Sequence, residues 1–352
     1  MKINFYLKLK NMNLNRNKLC KIGIIIIISF AQADNSSFNS NIFFGYDSNP
    51  MKLSVDEINQ LDIYPFLLGN AEEVFSPFVG FNVKLKHSII KRRIKLSWNL
   101  KGSYYNLSKD KSNYNFSFNL NKSLGDYRHF IFNYFIMPDF YLREYEDKDL
   151  YMVFEEGLEN SFFSSYFSIE KIRITLLMPI KRKISSIRMS FIHERQVFNK
   201  NFTEFDLKLV GPVIEFKSKY NKYTYSISYE NLFADNYTYS DGSFSTMHMD
   251  RGYVQQRYKI SIEKKYSDKR KFGFSANVYK RKNTSSLEDD HLHNGRKHID
   301  MTVSYWHKLN KNKVTISFRK RQTYSPYQWV VDLKTFKRVT ITYTKYFNSI
   351  RF

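Results

Sequence analysis

The sequence is poor in cysteine, glycine and proline, and it has no long apolar run after its first 33 residues. Its only cysteine is Cys20, and 352 residues contain just 12 glycines and 7 prolines. With no cysteine after position 33, residues 34–352 can form neither disulfides nor thiolate metal sites. A transmembrane helix, which needs about 20 apolar residues, is excluded there as well. The scarcity of glycine and proline also disfavours an array of soluble β-sandwiches, which would use more of both at turns.

The first 33 residues have the pattern of an export signal. An apolar run, Ile22–Phe30, is followed by Ala31-Gln32-Ala33, a typical cleavage site. Six basic residues precede the run: Lys2, Lys8, Lys10, Arg16, Lys18 and Lys21. We therefore predict a cleaved signal peptide over 1–33 and one domain over 34–352. The alternative is an uncleaved anchor, although the apolar run is too short to span a bilayer as a helix.

Acidic residues are scarce as well. The chain has 33 Asp and Glu against 56 Lys and Arg, a net charge of +23, of which +17 remains beyond position 33. A basic surface favours polyanions such as phosphorylated glycolipids, or anionic solutes. Nucleic acid is not expected as a partner of an exported chain. Compositional bias is the competing explanation, because Lys, Asn, Ile, Phe and Tyr are all encoded by AT-rich codons.

Alternation of apolar and polar residues is the strongest signal in the chain. Tyr114, Phe116, Phe118 and Leu120 alternate with four polar residues, a period of two that a helix cannot present on one face. Similar segments run from Asn41–Tyr46 to Val339–Phe347 and give fourteen candidate strands. With an export signal, aromatics at 18% and a mean hydropathy of −0.51, the pattern predicts an all-β fold, a transmembrane antiparallel up-and-down β-barrel. The count is about 14 strands, with 12–16 possible.

The spacing of these strands supports the count. Bacterial barrels pair short periplasmic turns with longer outer loops. Every connection after an even-numbered strand is short, whereas most of the others are longer, such as Asp47–Pro77 and Asp139–Asn160. Two places are irregular: the apolar phase changes near Glu170-Lys171, which predicts a bulge or a turn, and Gly211-Pro212 predicts a bulge.

Both ends of the predicted barrel resemble segments of outer-membrane barrel proteins. The closing strand, ending in an aromatic at Phe347 or Phe352, resembles the C-terminal signal that the barrel assembly machinery recognises. Phe44-Gly-Tyr-Asp-Ser-Asn-Pro50 is similar to the opening strand of uncharacterised, porin-like outer-membrane barrels. The resemblance implies a Gram-negative outer membrane, with its lipids and glycolipids and the assembly machinery as partners. It transfers no functional residue.

The predicted inward face is basic, which makes it the candidate site. Rings of Lys or Arg favour anions in pores, and the alternative is that these side chains pair with carboxylates and fill or solvate the lumen. The basic residues are Lys84, Lys86, Lys95, Lys101, Arg188, Lys259, Arg281, Lys308, Arg319 and Arg321.

Three further features are candidate sites. Asp289–His298 contains carboxylates and imidazoles that could bind a divalent metal, but their spacing matches no motif. Asp139–Asp149 is a mixed-charge loop, which suggests a salt-bridged cap or a glycolipid contact. Histidines near strands, with many serines, leave a hydrolase open without a nucleophile signature. We predict no catalytic residue, no metal ligand and no cofactor.

The sequence therefore supports one leading function and two alternatives. The first is a porin-like channel for anionic or polar solutes. The second is a structural or assembly barrel with a plugged lumen, and the third is an outer-membrane hydrolase. The same alternation suits a monomeric channel and a trimeric porin.

Overall fold

The computed structural model describes residues 36–89, 93–146, 162–238, 250–267, 269–288, 290, 293–326 and 335–351. The predicted signal peptide lies outside them. Within these residues the chain is almost entirely strand. The strands are β1 Ser36–Asp47, β2 Ser76–Ile89, β3 Ile94–Tyr105, β4 Asn113–Gly125, β5 Arg128–Glu146, β6 Phe162–Lys181, β7 Ser185–Phe198, β8 Leu207–Tyr220, β9 Tyr223–Asp235, β10 Tyr253–Lys265, β11 Arg270–Asn283, β12 Lys297–Leu309, β13 Asn312–Tyr324, β14 Phe336–Tyr346 and the short β15 Ile350–Arg351.

The strands close into a barrel. Each strand from β1 to β13 pairs antiparallel with the next one in the chain, and β14 pairs with β1, for example Phe44 with Tyr343. The short β15 extends this seam, with Arg351 opposite Ser37. Since the two ends of the sheet pair with each other, the described chain forms a closed 14-strand antiparallel barrel, which confirms the predicted fold.

The predicted alternation separates an outer face from an inner face. Exposed apolar side chains such as Phe81, Ile227 and Ile316 point outwards, while their polar neighbours point into the lumen. Exposed tyrosines lie near both ends of the wall, in two bands. Tyr127, Tyr220 and Tyr266 lie near the short turns, and Tyr46, Tyr104 and Tyr324 lie near the long connections. This is the apolar belt with aromatic girdles of a membrane barrel.

The connections alternate in length as predicted. Those after even-numbered strands have two to four residues, and those after odd-numbered strands have 7 to 28. Tight turns between antiparallel strands require left-handed backbone, and here residues other than glycine supply most of it. Asp126, Lys183, Asn221 and Asn310 have φ between 47° and 63°. Tight hairpins therefore form in this barrel although the sequence has few glycines.

Three local predictions were wrong. Glu170 and Lys171 show neither a bulge nor a turn, because β6 is continuous and pairs in register with β7 there. The register shifts lie instead in β5, between Met137 and Arg143. The phase of the apolar residues changes because Phe167 is stacked on Phe198 of β7, with ring centroids 4.9 Å apart.

At Gly211-Pro212 the pairing keeps the same register with β7, so the predicted bulge is absent. A Cβ at Gly211 would lie 1.9 Å from the carbonyl oxygen of Asn231, so glycine permits a close backbone approach. The predicted loop beginning at Asp139 is also shorter than expected, since β5 extends to Glu146.

Helical structure in the described residues is minor. It comprises α1 Val55–Asn59 and the 3₁₀ helices Pro65–Leu68, Lys109–Lys111 and Lys200–Phe205. None of the described helices is long and apolar enough to cross a membrane.

Candidate functional site

The connection between β1 and β2, residues 48–75, folds into the barrel; we call it the constriction segment. Its Met51 and Leu53 pack against Tyr141 of β5, and all three side chains are 3% exposed or less. A Cβ at Gly69 would lie 2.3 Å from the Tyr141 hydroxyl, and Gly69 has φ of +57°, so only glycine fits there without strain. The segment therefore narrows the lumen at the end of the long connections.

Local hydrogen bonds shape the start of this segment. The Asn49 side chain accepts a bond from the Leu53 amide (2.9 Å) and donates to the Leu53 carbonyl (2.8 Å). Ser54 then caps α1, its hydroxyl accepting from the Glu57 amide while the Glu57 carboxylate accepts from the Ser54 amide. This capping box satisfies amides that would otherwise lack partners. The turn and the cap fix the direction in which the segment enters the lumen.

The segment is joined to the wall at two places, by an ion pair at β5 and by a hydrogen bond to a paired carboxylate at the seam. Arg143 of β5 donates to Glu57 of α1 at 2.9 Å, with both side chains largely buried. At the other side, Arg338 of β14 pairs with Asp47, its Nε lying 2.8 Å from Oδ1. Asp47 is fully buried and also accepts from the Asn49 amide. The segment is thus held at both β5 and the closing seam.

A third carboxylate binds several side chains on another part of the barrel wall. Asp300 of β12, fully buried, accepts from Arg319 at 2.7 Å, from Arg321 at 2.9 Å and from the Tyr279 hydroxyl at 2.7 Å. Both arginines also lie over the Phe336 ring, 5.3 Å from its centroid. One carboxylate is therefore shared by two guanidinium groups, which leaves an excess of positive charge.

Two lysines lie between these walls. Lys52, in the constriction segment, has its Nζ 5.4 Å from the centroid of Phe140 in β5. Lys111 lies over the same ring at 5.8 Å and donates to the carbonyls of Tyr141 and Leu142. Burial, and then the positive charges of Lys111, Arg319, Arg321 and Arg338, hold the pKa of Lys52 well below its usual value.

Burial, with Arg143 and Arg338 nearby, lowers the pKa of Lys111 to about 7. Lys52 is half-buried, so the residue keeps partial contact with solvent. Positive charges on β13 and β14 act on this lysine while it contacts β5, so the site spans the barrel.

The basic residues that the sequence assigned to the lumen lie on the face opposite the exposed apolar side chains. Arg319 and Arg321 belong to the site just described. Lys101 lies over the Phe43 ring at 5.2 Å, Arg281 lies over Tyr253 at 3.9 Å, and Arg188 pairs with Glu215 at 3.4 Å. The others, Lys84, Lys86, Lys95, Lys259 and Lys308, are spread along the inner faces of β2, β3, β10 and β12.

Of the ten predicted lumen residues, only Arg319 and Arg321 therefore belong to the site around Lys52. The sequence reasoning missed Lys52, Lys111, Arg143 and Arg338. Arg338 follows the alternation of β14 and could have been found from it. Lys52, Lys111 and Arg143 lie in or beside the long connections, where alternation gives no direction.

A cavity of about 460 Å³ lies on the inner wall beside the seam. Three threonines on alternate positions of β14, Thr340, Thr342 and Thr344, face it together with aromatic rings and Lys101. Tyr105, in its lining, donates to Asp47. The cavity therefore adjoins the ion pair that anchors the constriction segment.

The other predicted segments do not form a comparable site. In Asp289–His298, positions 289, 291 and 292 lie outside the described residues. Asp290 accepts from Ser285 at 2.8 Å and contacts His293 at 2.9 Å. The described part of the chain contains no group of three or more His, Cys, Asp or Glu residues arranged to hold a metal ion.

One histidine contacts a serine directly. Ser36 Oγ lies 3.0 Å from His87 Nδ1, which is hydrogen-bond distance for a nucleophile and a base. Ser36 is only 3% exposed, so its hydroxyl is closed to a substrate in this conformation. In the mixed-charge segment Asp139–Asp149, Arg143 bonds to Glu57 as described above, while positions 147–149 lie outside the described residues.

The closed sheet, the exposed apolar belt, the tyrosine bands and the alternating connection lengths define an outer-membrane-type β-barrel. No protein-family model and no curated protein matches the chain. Among solved structures it is similar to OccAB4 of Acinetobacter baumannii, with 8% identity, 91% of this chain and 99% of that chain covered, and a TM-score of 0.41.

Two other solved structures are similar to the chain. The outer membrane protein OpdK of Pseudomonas aeruginosa has 7% identity, 90% and 99% coverage and a TM-score of 0.41. CdiB of Acinetobacter baumannii has 9% identity, 90% and 60% coverage and a TM-score of 0.42. Because these similarities are weak, the functional conclusions rest on the barrel's own geometry.

Proposed function

We propose that the protein is a narrow, porin-like channel of the outer membrane that favours small anionic or polar solutes. The observation that carries this proposal is a cluster of basic side chains inside a closed barrel: Lys52 and Lys111 lie over the Phe140 ring, and the charges of three wall arginines act on Lys52. Rings of basic side chains select anions at close quarters. The barrel then provides the path for the solute, and the constriction segment sets the width of that path.

The outer face supports the membrane location. A soluble barrel would not present this many large apolar side chains to water, since contiguous exposed apolar surface marks a contact with lipid or protein. All strands from β1 to β14 have 11 or more residues, enough for a tilted membrane crossing of about 9–11 residues. The short turns then face the periplasm and the long connections the exterior.

A plugged structural barrel is the second candidate, and the constriction segment itself favours it. Apolar packing on Tyr141 and ion pairs at Glu57 and Asp47 tie the segment to the wall. If these contacts seal the lumen, the basic residues serve only to hold the plug. The two candidates differ in a single measurable property, which is steady ion conduction.

The test is single-channel recording of the full chain, purified from membranes and inserted into planar bilayers. We expect small, steady conductance and, in a KCl gradient, a reversal potential that shows preference for chloride. Absence of conductance from a heat-modifiable, folded barrel would support the plugged alternative. Cation preference would contradict the anion-favouring version while leaving a channel.

A further inference from the structure

Lys52 is a half-buried lysine without an acidic partner in the described part of the chain. No carboxylate among the described residues pairs with its Nζ, whose neighbour is the face of the Phe140 ring at 5.4 Å. Buried ammonium groups are normally paired, because leaving one alone in a protein interior is costly. Its backbone is also left-handed, with φ of 60°. The fold therefore holds this side chain at the lumen although no described carboxylate neutralises it.

Two of the three nearby carboxylates are already engaged. Asp47 is bonded to Arg338, and Asp300 is shared by Arg319 and Arg321. The third, Asp110, lies beside Lys111. With every acidic and basic group charged, Lys52, Lys111 and the three arginines bring five positive charges against three negative ones. The remaining donors include all three N–H groups of Lys52. Lys111 uses its ammonium on two backbone carbonyls, so it has one hydrogen left to donate.

We propose that Lys52 and Lys111 form the centre of a binding site for a divalent tetrahedral oxyanion, either sulfate or a phosphate group. A dianion matches the excess charge better than chloride or a single carboxylate. It also presents several oxygens to ammonium groups, which bind phosphate as point charges. This inference deepens the proposed channel by naming its solute class, but binding itself requires only that lumen water reaches Lys52.

Binding at this site should be coupled to proton uptake. The charges that face the two lysines are Arg319 and Arg321 of β13, Arg338 of β14, Arg143 of β5, Asp47 of β1 and Asp110 beside Lys111. Without a ligand this mostly positive surrounding favours neutral lysines, and an anion reverses that preference. Occupancy should therefore rise as the pH falls from 8 to 6.

Sulfate is the probe that isolates this effect, because it stays doubly charged over that pH range whereas phosphate titrates. Isothermal titration of the full chain in detergent, repeated in buffers of different ionisation enthalpy, measures both affinity and protons taken up. Inorganic phosphate and glycerol phosphate form two further arms. Binding of both indicates a site that accepts phosphate esters, and binding of the inorganic ion alone indicates a site for the free anion.

Two substitutions of Lys52 and one control sharpen the test. We expect Lys52→Met to weaken sulfate binding about tenfold or more. Lys52→Arg should keep binding but reduce the proton uptake. Lys109→Met removes an exposed lysine from the same 3₁₀ helix as Lys111, where it contacts Glu72 at 3.5 Å, and should leave the affinity unchanged.

Wild-type affinity in Lys52→Met, shown to be folded by heat-modifiability, would overturn the inference, as would sulfate binding without proton uptake. Sulfate binding in a barrel that does not conduct would leave the site standing and remove the channel. Conduction without sulfate binding would do the reverse.

Discussion

Replacing Tyr141 with alanine should release the constriction segment. Tyr141 is 1% exposed and forms the surface on which Met51 and Leu53 pack. An aromatic side chain buries at least about 150 Å², which corresponds to about 4 kcal/mol at about 25 cal/mol per Å². Tyr166, 5.2 Å away between ring centroids, keeps part of that contact when the segment leaves. About half, or ~2 kcal/mol, therefore depends on the segment itself.

Since about 1.4 kcal/mol corresponds to a tenfold change, Tyr141→Ala should raise the ratio of open to closed states about 30-fold. In planar bilayers this appears as frequent openings to a larger conductance than that of the wild type. Tyr104→Ala is the matched control, because Tyr104 is a 48%-exposed tyrosine on the outer face of β3. Traces of Tyr141→Ala that match the wild type, from a folded barrel, would show that the segment does not control conduction.

Three other changes test the wall and the charges. Asp300→Asn should lower the free energy of urea unfolding by about 3 kcal/mol, because two arginines lose a buried counter-charge. Asp126→Asn, at an 89%-exposed carboxylate, is the control and should leave that free energy unchanged. Equal stability of the two variants would contradict a structural role for Asp300. Gly211→Ala should prevent the barrel from forming, since its Cβ would overlap the Asn231 carbonyl, and a heat-modifiable Gly211→Ala barrel would refute this. Chloride preference should fall between pH 6 and 8 as Lys111, with its pKa of about 7, loses its proton, and a Lys111→Gln barrel with the same pH profile would exclude that lysine. The unfolding free energy should rise above pH 7, because the unfolded lysine keeps the proton that the folded one releases.

The barrel could be predicted from the sequence because its main signal is local. In a strand such as Asn113–Gly125, alternate residues face lipid and water, so each segment shows its own orientation. The length of the connections then fixed the count at fourteen. The two false bulges had different causes. At Gly211 the glycine serves a close backbone approach, and at Phe167 an aromatic side chain packs inside the barrel, where alternation predicts a polar one.

The constriction could not be predicted because its contacts join distant parts of the chain. Lys52 is 88 residues away from Phe140, and Asp47 is 291 residues away from Arg338. Nothing in the sequence between Asp47 and Pro77 distinguishes a loop that folds inwards from one that stays outside. The capping box at Ser54 and Glu57 could have been predicted as a local helix start. The arginine that pairs with Glu57 could not have been predicted.

The seam between β1 and β14 has a consequence for how the barrel is made. These are the first and the last long strands of the described residues, so the contacts of the closing pair join distant positions, such as Asp47 and Arg338, which are 291 residues apart. Until β14 arrives, β1 presents an open edge, with unpaired amides and carbonyls that would recruit any other strand. Local hairpins can form early, but the ring is closed only when β14 pairs with β1. A chain truncated before β14 would thus have thirteen strands and two unpaired edge strands. We expect such a chain to aggregate or to be degraded instead of closing into a smaller barrel.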